Sequence, residues 1–146
     1  MNITITTSVE KDFLAVKSGF TQDLFLALNP PFPKVKLLRF DGCEKGDIVS
    51  LQLNFIFFKQ TWESVITEDE TSNKEFRFID EGIKLPFFFK YWKHHHRVIS
   101  SENGAKIIDD ITFKTPLLIP EFLMYPTLYL QFLYRKPVYK KFFKKA

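Results

Sequence analysis

An Asn-Gly pair at positions 103 and 104 separates two extended runs, and it constrains the chain more than any other feature. Residues 87–115 read FFFKYWKHHHRVISSENGAKIIDDITFKT. Asn-Gly favours a type I′ hairpin turn because both central residues of that turn take positive φ. With Asn103 and Gly104 as the turn, Glu102 pairs with Ala105 and Val98 faces Asp109. Side chains alternate between faces along a strand. One face then carries Trp92, His94, His96, Val98, Ile107, Asp109, Ile111 and Phe113. The other carries Lys93, His95, Arg97, Lys106, Asp110 and Lys114, which is a water face. The first is an interior face that nevertheless holds three ionisable groups. A slip of one residue would flip one strand relative to the other.

The rest of the chain supplies partners for this ribbon. Ile3 and Ile5 alternate with threonines, which predicts a first short strand. Thr7-x-x-Glu10 matches a capping box ahead of a helix that runs to about Ser18 and stops at Gly19. A second short helix over 22–28 takes Thr21 as its cap. Asn29-Pro30-Pro31-Phe32-Pro33 cannot continue it, because proline lacks the N–H and restricts its predecessor. From there the period is two. Strands are expected over 34–40 and 48–58, the latter with Val49, Leu51, Leu53, Phe55 and Phe57 on one side. A hairpin of 61–67 with 74–80 follows. The last element spans 121–144 and is amphipathic, with Leu130, Tyr134, Val138 and Phe142 as its apolar column. Pro137 removes a hydrogen bond to the Leu133 carbonyl and should kink or break that helix.

The order is strand, two short helices, about six more strands, then a long helix. This is an α+β arrangement: a curved antiparallel sheet of about seven strands around a C-terminal helix. A bent sheet holding a helix off its concave face leaves a space suited to an apolar ligand. At 146 residues the chain is expected to form one domain over its whole length, 1–146. Eighteen phenylalanines either fill its core or line such a space.

Charge and cysteine content exclude some readings. The net charge of +4 comes largely from Arg135, Lys136, Lys140, Lys141, Lys144 and Lys145. These recur at helical spacing, which fits a solvated helix face rather than a nucleic-acid groove. Contact of that basic helix with a membrane surface is a further reading. Cys43 is the one cysteine, so no intrachain disulfide forms, and no base lies near it in sequence to make it a nucleophile. The first residues lack the charged and apolar regions of a signal peptide, so a cytoplasmic location is expected. Residues 117–134 are apolar, but Pro120, Glu121, Pro126 and Gln131 interrupt them, and no stable membrane insertion is expected.

Particular residues resemble a known pattern. Phe78-Ile79-Asp80, Pro86-Phe87, Trp92, His94, His96 and Val98 come first. Gly104, Ile107, Asp109, Ile111 and Phe113 follow, and then Phe132 and Arg135. Together they are similar to the START-like helix-grip superfamily, also called SRPBCC. The likeness is to its small bacterial members described as ligand-binding or polyketide cyclase/dehydrase-like. Gly82 and Pro86 are spaced more loosely than in that pattern. The resemblance implies the helix-grip fold and a cavity for a lipid, polyketide or sterol-like molecule. It implies no shared catalytic set, because the superfamily mixes enzymes with binders.

Three readings of His94, His96 and Asp109 stay open. A histidine beside a carboxylate can act as acid and base near neutral pH, as a cyclase or dehydratase requires. His-x-His with Asp gives three metal donors on one face, although no further His or Cys completes a site and His95 points away. The group can also be a satisfied polar cluster that pins the hairpin and anchors a ligand, with His96 and Asp109 as diagonal neighbours. Glu63 on a neighbouring strand is a further candidate carboxylate. The expected cavity residues are Trp92, His94, His96, Ile107, Asp109, Ile111, Phe113, Leu51, Leu53, Phe55, Leu130 and Tyr134. No cofactor or metal is expected, and the partner is a hydrophobic small molecule held by a monomer or weak homodimer.

Overall fold

A computed structural model describes residues 1–146. In chain order the elements are β1 (Asn2–Val9), α1 (Phe13–Ser18), α2 (Gln22–Ala27), β2 (Lys34–Phe40), β3 (Ile48–Asn54), β4 (Lys59–Thr71), β5 (Glu75–Lys84), β6 (Tyr91–Ser101), β7 (Gly104–Lys114), α3 (Glu121–Leu133) and α4 (Arg135–Phe142). The seven strands form one antiparallel sheet in the order β1-β7-β6-β5-β4-β3-β2. Register shifts at Leu37/Arg39, Glu63/Ser64 and Ile66/Glu68 mark irregularities that add bend and twist to the far strands. The sheet curls, and the helices lie in its concave side.

The β6–β7 hairpin turns one residue earlier than Asn-Gly chemistry predicts. Ser101 pairs with Gly104, so Glu102 and Asn103 form the tip and Val98 faces Ile107. The pairing has moved by two residues relative to the predicted one, and a shift of two leaves every side chain on its expected face. Trp92, His94, Val98, Ile107, Asp109, Ile111 and Phe113 are all buried on the inner face. Gly104 sets the position of the turn. Its φ is +145°, and a Cβ there would stand 2.0 Å from the Val9 carbonyl oxygen. The edge strand β1 crosses too closely for any side chain at that point.

Other boundaries moved for local reasons. Thr7 is not a helix cap; it is a buried strand residue paired with Ile107, because β1 runs on to Val9. The cap of α1 is Asp12, whose Oδ1 accepts from the Ala15 amide at 2.9 Å. Thr21 stands at the N-cap of α2 but makes no side-chain capping bond. Strand β3 ends at Asn54, so Phe57 lies beyond it and is 93 % exposed.

The C-terminal helix breaks at Tyr134 into α3 and α4. Pro137 then falls in the first turn of α4, where a missing N–H costs nothing. The break separates two core clusters. Tyr139 of α4 and Phe143 at its C-terminal cap pack with Phe13, Val16, Phe76, Phe78, Val98 and Ile107. Leu128 and Phe132 of α3 pack with Ile3, Ile5, Trp92, Ile111 and Phe113. The buried column is therefore Leu128, Phe132, Tyr139 and Phe143. Of the expected column, Val138 packs half-buried against the first cluster, but Leu130, Tyr134 and Phe142 are exposed. A stretch apolar on every side gives spacing alone too little contrast to choose a face.

Replacing Gly104 with alanine should cost about 2 kcal/mol or more, through the clash with β1 and the unfavourable φ. Chemical denaturation of Gly104→Ala beside Glu102→Ala, which should change little, checks this.

Candidate functional site

A cavity of about 240 Å³ lies between the sheet and helices α2 and α3, and 21 of its 33 lining residues are hydrophobic. Val49, Leu51 and Leu53 of β3, Phe55 just beyond it, and Trp62, Ser64 and Ile66 of β4 form one wall. Glu63 lies between Trp62 and Ser64 and so points to the opposite face. Leu128, Phe132, Arg135 and Tyr139 approach from the C-terminal helices. In the remaining wall the ionisable groups Asp80, His94 and His96 meet at one place, and Thr21, Asn29, Thr127 and Gln131 add neutral polar groups.

Strands β5 and β6 bring these groups together. Asp80 and His94 are directly paired residues of adjacent strands, and so are Phe78 and His96. Their side chains therefore emerge side by side on the inner face. His96 Nε2 lies 2.6 Å from Asp80 Oδ2, and His94 Nε2 lies 2.8 Å from Asp109 Oδ1 on β7. The Trp92 indole N–H donates to Asp80 Oδ1 at 3.3 Å. The two imidazoles stack with centroids 3.5 Å apart, and Phe78 stacks on the other side of His96 at 4.1 Å. Arg135 lies over the Phe132 ring at 4.4 Å, and its Nη1 is 3.6 Å from Asp109 Oδ1.

Two points differ from the sequence expectation. His94, not His96, holds Asp109, because in the observed register Asp109 is level with His96 and the ring of His94 reaches it diagonally. The partner of His96 is Asp80, which was not among the expected site residues. Its signal was the alternation of Phe76, Phe78 and Asp80 on one face of β5.

Burial sets the protonation. It pushes the His94 imidazole down to about 4, helped by the charge His96 carries when protonated, and this outweighs Asp109 and Asp80. Burial raises the Asp109 carboxyl, but the His94 hydrogen bond and the charges of His94 and Arg135 more than reverse it, so it stays below the usual carboxylate range. Asp80 behaves the same way, with His96 as the main counterweight. Near neutral pH His94 is thus neutral beside an ionised Asp109. Its proton sits on Nε2 to make that bond, and Nδ1 keeps its lone pair. Asp109 Oδ2 is buried without a hydrogen-bond partner. The Tyr139 hydroxyl is pushed up by burial and by Asp109.

Donor atoms of Asp80, His94 and His96 lie within 4.8 Å of one another, which is the one metal-like cluster of the fold. Stacked imidazoles direct their lone pairs side by side, whereas an ion about 2.1 Å from each nitrogen needs them to converge. As folded, the donors satisfy one another by hydrogen bonds. Cys43 also lines the cavity, and burial pushes its thiol up to about 12, with Asp80 and Asp47 adding to the effect. That leaves no thiolate for nucleophilic chemistry.

Of the expected cavity residues, Trp92, His94, His96, Leu51, Leu53 and Phe55 stand on the wall. Ile107, Asp109, Ile111 and Phe113 are buried behind it in the core. Leu130 and Tyr134 are displaced outward, 64 % and 41 % exposed, because α3 turns Leu128 and Phe132 inward instead. Sequence reasoning missed Trp62, Ser64 and Tyr139 as wall residues. It also missed Arg135, which reads as part of a solvated basic run.

Histidine 94 gives a pH signature. Its folded pKa lies below the unfolded value of about 6.5, so the unfolded chain binds more protons between pH 6.5 and 4. Stability should therefore fall as pH drops through that window, by up to about 3 kcal/mol. Urea titrations between pH 7 and 4 should show this fall in the wild type and a flatter profile in His94→Gln.

No protein-family model matches the chain, and no curated protein matches it in sequence. Solved structures do match in shape. Protein CV1439 of Chromobacterium violaceum superposes with a TM-score of 0.70 at 15% identity, over 100% of this chain and 99% of that one. The Zhui aromatase/cyclase of a Streptomyces species gives 0.71 at 14%, over 94% and 90%. Major latex-like protein 151 of Panax ginseng gives 0.62 at 12%, over 95% and 97%. At these identities the likeness speaks for architecture, and the chain has the helix-grip fold that these proteins share.

Proposed function

We propose that this chain binds and carries an apolar small molecule in the cavity between its sheet and C-terminal helices. The observation that carries the reading is a mostly hydrophobic cavity with an ionisable cluster in its wall, where His96–Asp80 and His94–Asp109 lie side by side. Apolar walls supply affinity, and the ionisable cluster fixes orientation. A ligand of lipid, polyketide or sterol-like class, with a hydroxyl or carbonyl at one end, would meet His96 there. His94 is less available, since its side chain is 4 % exposed against 13 % for His96. Residues 1–146 act as one unit in this reading.

A second reading is a cyclase or dehydratase acting on a polyketide-like substrate. What favours it is the His96–Asp80 pair, 2.6 Å apart on the cavity wall, with Asp80 oriented in turn by Trp92. An imidazole held by a carboxylate can take a proton from a carbon beside a ketone and return it to the departing hydroxyl. The aromatase/cyclase among the structural neighbours has the same fold.

Extraction and mass spectrometry of protein purified from cells should recover a copurifying apolar molecule. An anilinonaphthalene sulfonate probe should bind the emptied protein. Leu51→Trp, which fills the cavity, should weaken that binding about tenfold with the fold retained. A protein that comes out empty and binds no apolar probe overturns the first reading. For the second, His96→Ala should slow turnover of a polyketone about a hundredfold; unchanged turnover removes it.

A further inference from the structure

The end of the sheet where β3 meets β4 and β5 leads to β6 carries a set of exposed apolar side chains that the cavity does not use. Ile56, Phe57, Leu117 and Leu118 are 78 %, 93 %, 101 % and 93 % exposed, and Phe58 and Phe87 are exposed beside them. Antiparallel pairing puts the 54–59 turn and the loops at 85–90 and 115–120 at this one end. Phe58 and Phe87, whose rings lie 5.8 Å apart, join this surface to the cavity. Phe55 lines the cavity and stacks on Phe58 at 4.9 Å, and Phe88 lines it and meets Phe87 edge-on at 5.2 Å.

Two features argue that this surface is not incidental. The tip is strained: Ile56 has φ +78°, a left-handed conformation that a β-branched residue adopts only at a cost. Glycine or asparagine would form the same turn without strain and without an apolar side chain. The strained turn instead drives two bulky apolar groups into solvent. Secondly, the cluster has a basic collar. Lys34, Lys59, Lys84, Lys90 and Lys114 are all exposed at this end, and none is in an ion pair. Of the acidic residues nearby, Glu121 is held by the N-terminal amine, and Glu63 is level with Lys84. The opposite end mixes signs, with Glu44, Asp47 and Asp69 beside Lys45 and Lys74.

We infer that this end docks on an anionic lipid bilayer, with Ile56, Phe57, Leu117 and Leu118 entering the headgroup boundary and the five lysines resting on acidic headgroups. Protruding apolar side chains ringed by lysine match an interface that is greasy within and negative at its surface. The lysine stems can also cover apolar surface while their ammonium groups reach outward. Docking there places the aromatic wall of the cavity against the acyl region, where an apolar molecule could pass without crossing water. Lys136 of the basic C-terminal helix donates to the Thr6 carbonyl at 2.7 Å, while Lys140, Lys141, Lys144 and Lys145 are exposed. The wild-type comparison therefore also includes Lys140→Glu with Lys144→Glu, which should leave docking at the strand-turn end unchanged.

Vesicle flotation tests the inference. The wild-type chain should float with phosphatidylglycerol-containing vesicles and much less with phosphatidylcholine alone, and added salt should release it. Phe57→Asp with Leu118→Asp should cut the bound fraction about tenfold while circular dichroism stays native. Lys59→Glu with Lys84→Glu should do the same for the anionic vesicles. Leu51→Trp should dock normally, so a failed cavity reading and a failed docking reading are separable. Absent flotation, or flotation indifferent to these changes, overturns the inference. So does a concentration-dependent dimer that Phe57→Asp abolishes in a protein that never floats, because a second copy would then be what covers the cluster.

Discussion

A carboxylate that is 1 % exposed on an apolar sheet face is the constraint on which the interior is built. An isolated buried charge costs far more than any single packing contact returns, so Asp109 must be met by donors. His94 meets it from the neighbouring strand, and Arg135 reaches it from the start of α4. Arg135 stands where α3 passes into α4, directly after Tyr134. The hairpin register, the helix break and the stacking of His94 on His96 are therefore linked through one side chain. Removing Asp109 alone would leave a guanidinium and an imidazole without their partner, whereas removing the whole polar group would be a different and gentler change.

The same linkage explains what the sequence could and could not reveal. The inner and outer faces of residues 91–114 were legible, because alternation is a parity and survives a shift of two residues. The pairing within the inner face was not legible, because parity says nothing about which imidazole is level with Asp109. The turn chemistry of Asn103-Gly104 pointed to the right hairpin. The closeness of β1, a long-range contact, decided which residues form the tip. Asp80 was hidden because its importance depends on the register of β5 against β6.

The C-terminal helix and the end of β3 failed for the opposite reason: too much apolarity. In residues 121–133 almost any column looks hydrophobic, so Leu130 and Tyr134 were as plausible as Leu128 and Phe132. Arg135 misled further, since a charged residue reads as outward until a buried carboxylate is known to need it. At Phe57 the alternation ran on, but the strand had already ended at Asn54. The layout itself, one strand, two short helices, a sheet and a terminal helix, was robust to all of these errors. It rests on turn residues and periodicity rather than on any one contact. It also holds at 11% to 15% identity in the matching structures, which is what packing volume and pattern alone would permit.

The lone thiol offers a reporter on occupancy of the cavity. Cys43 is half-buried at the cavity wall near Phe20, in a microenvironment that suppresses its ionised form. An alkylating reagent should therefore capture it slowly at neutral pH. An occupant wedged against the same wall would slow that capture further.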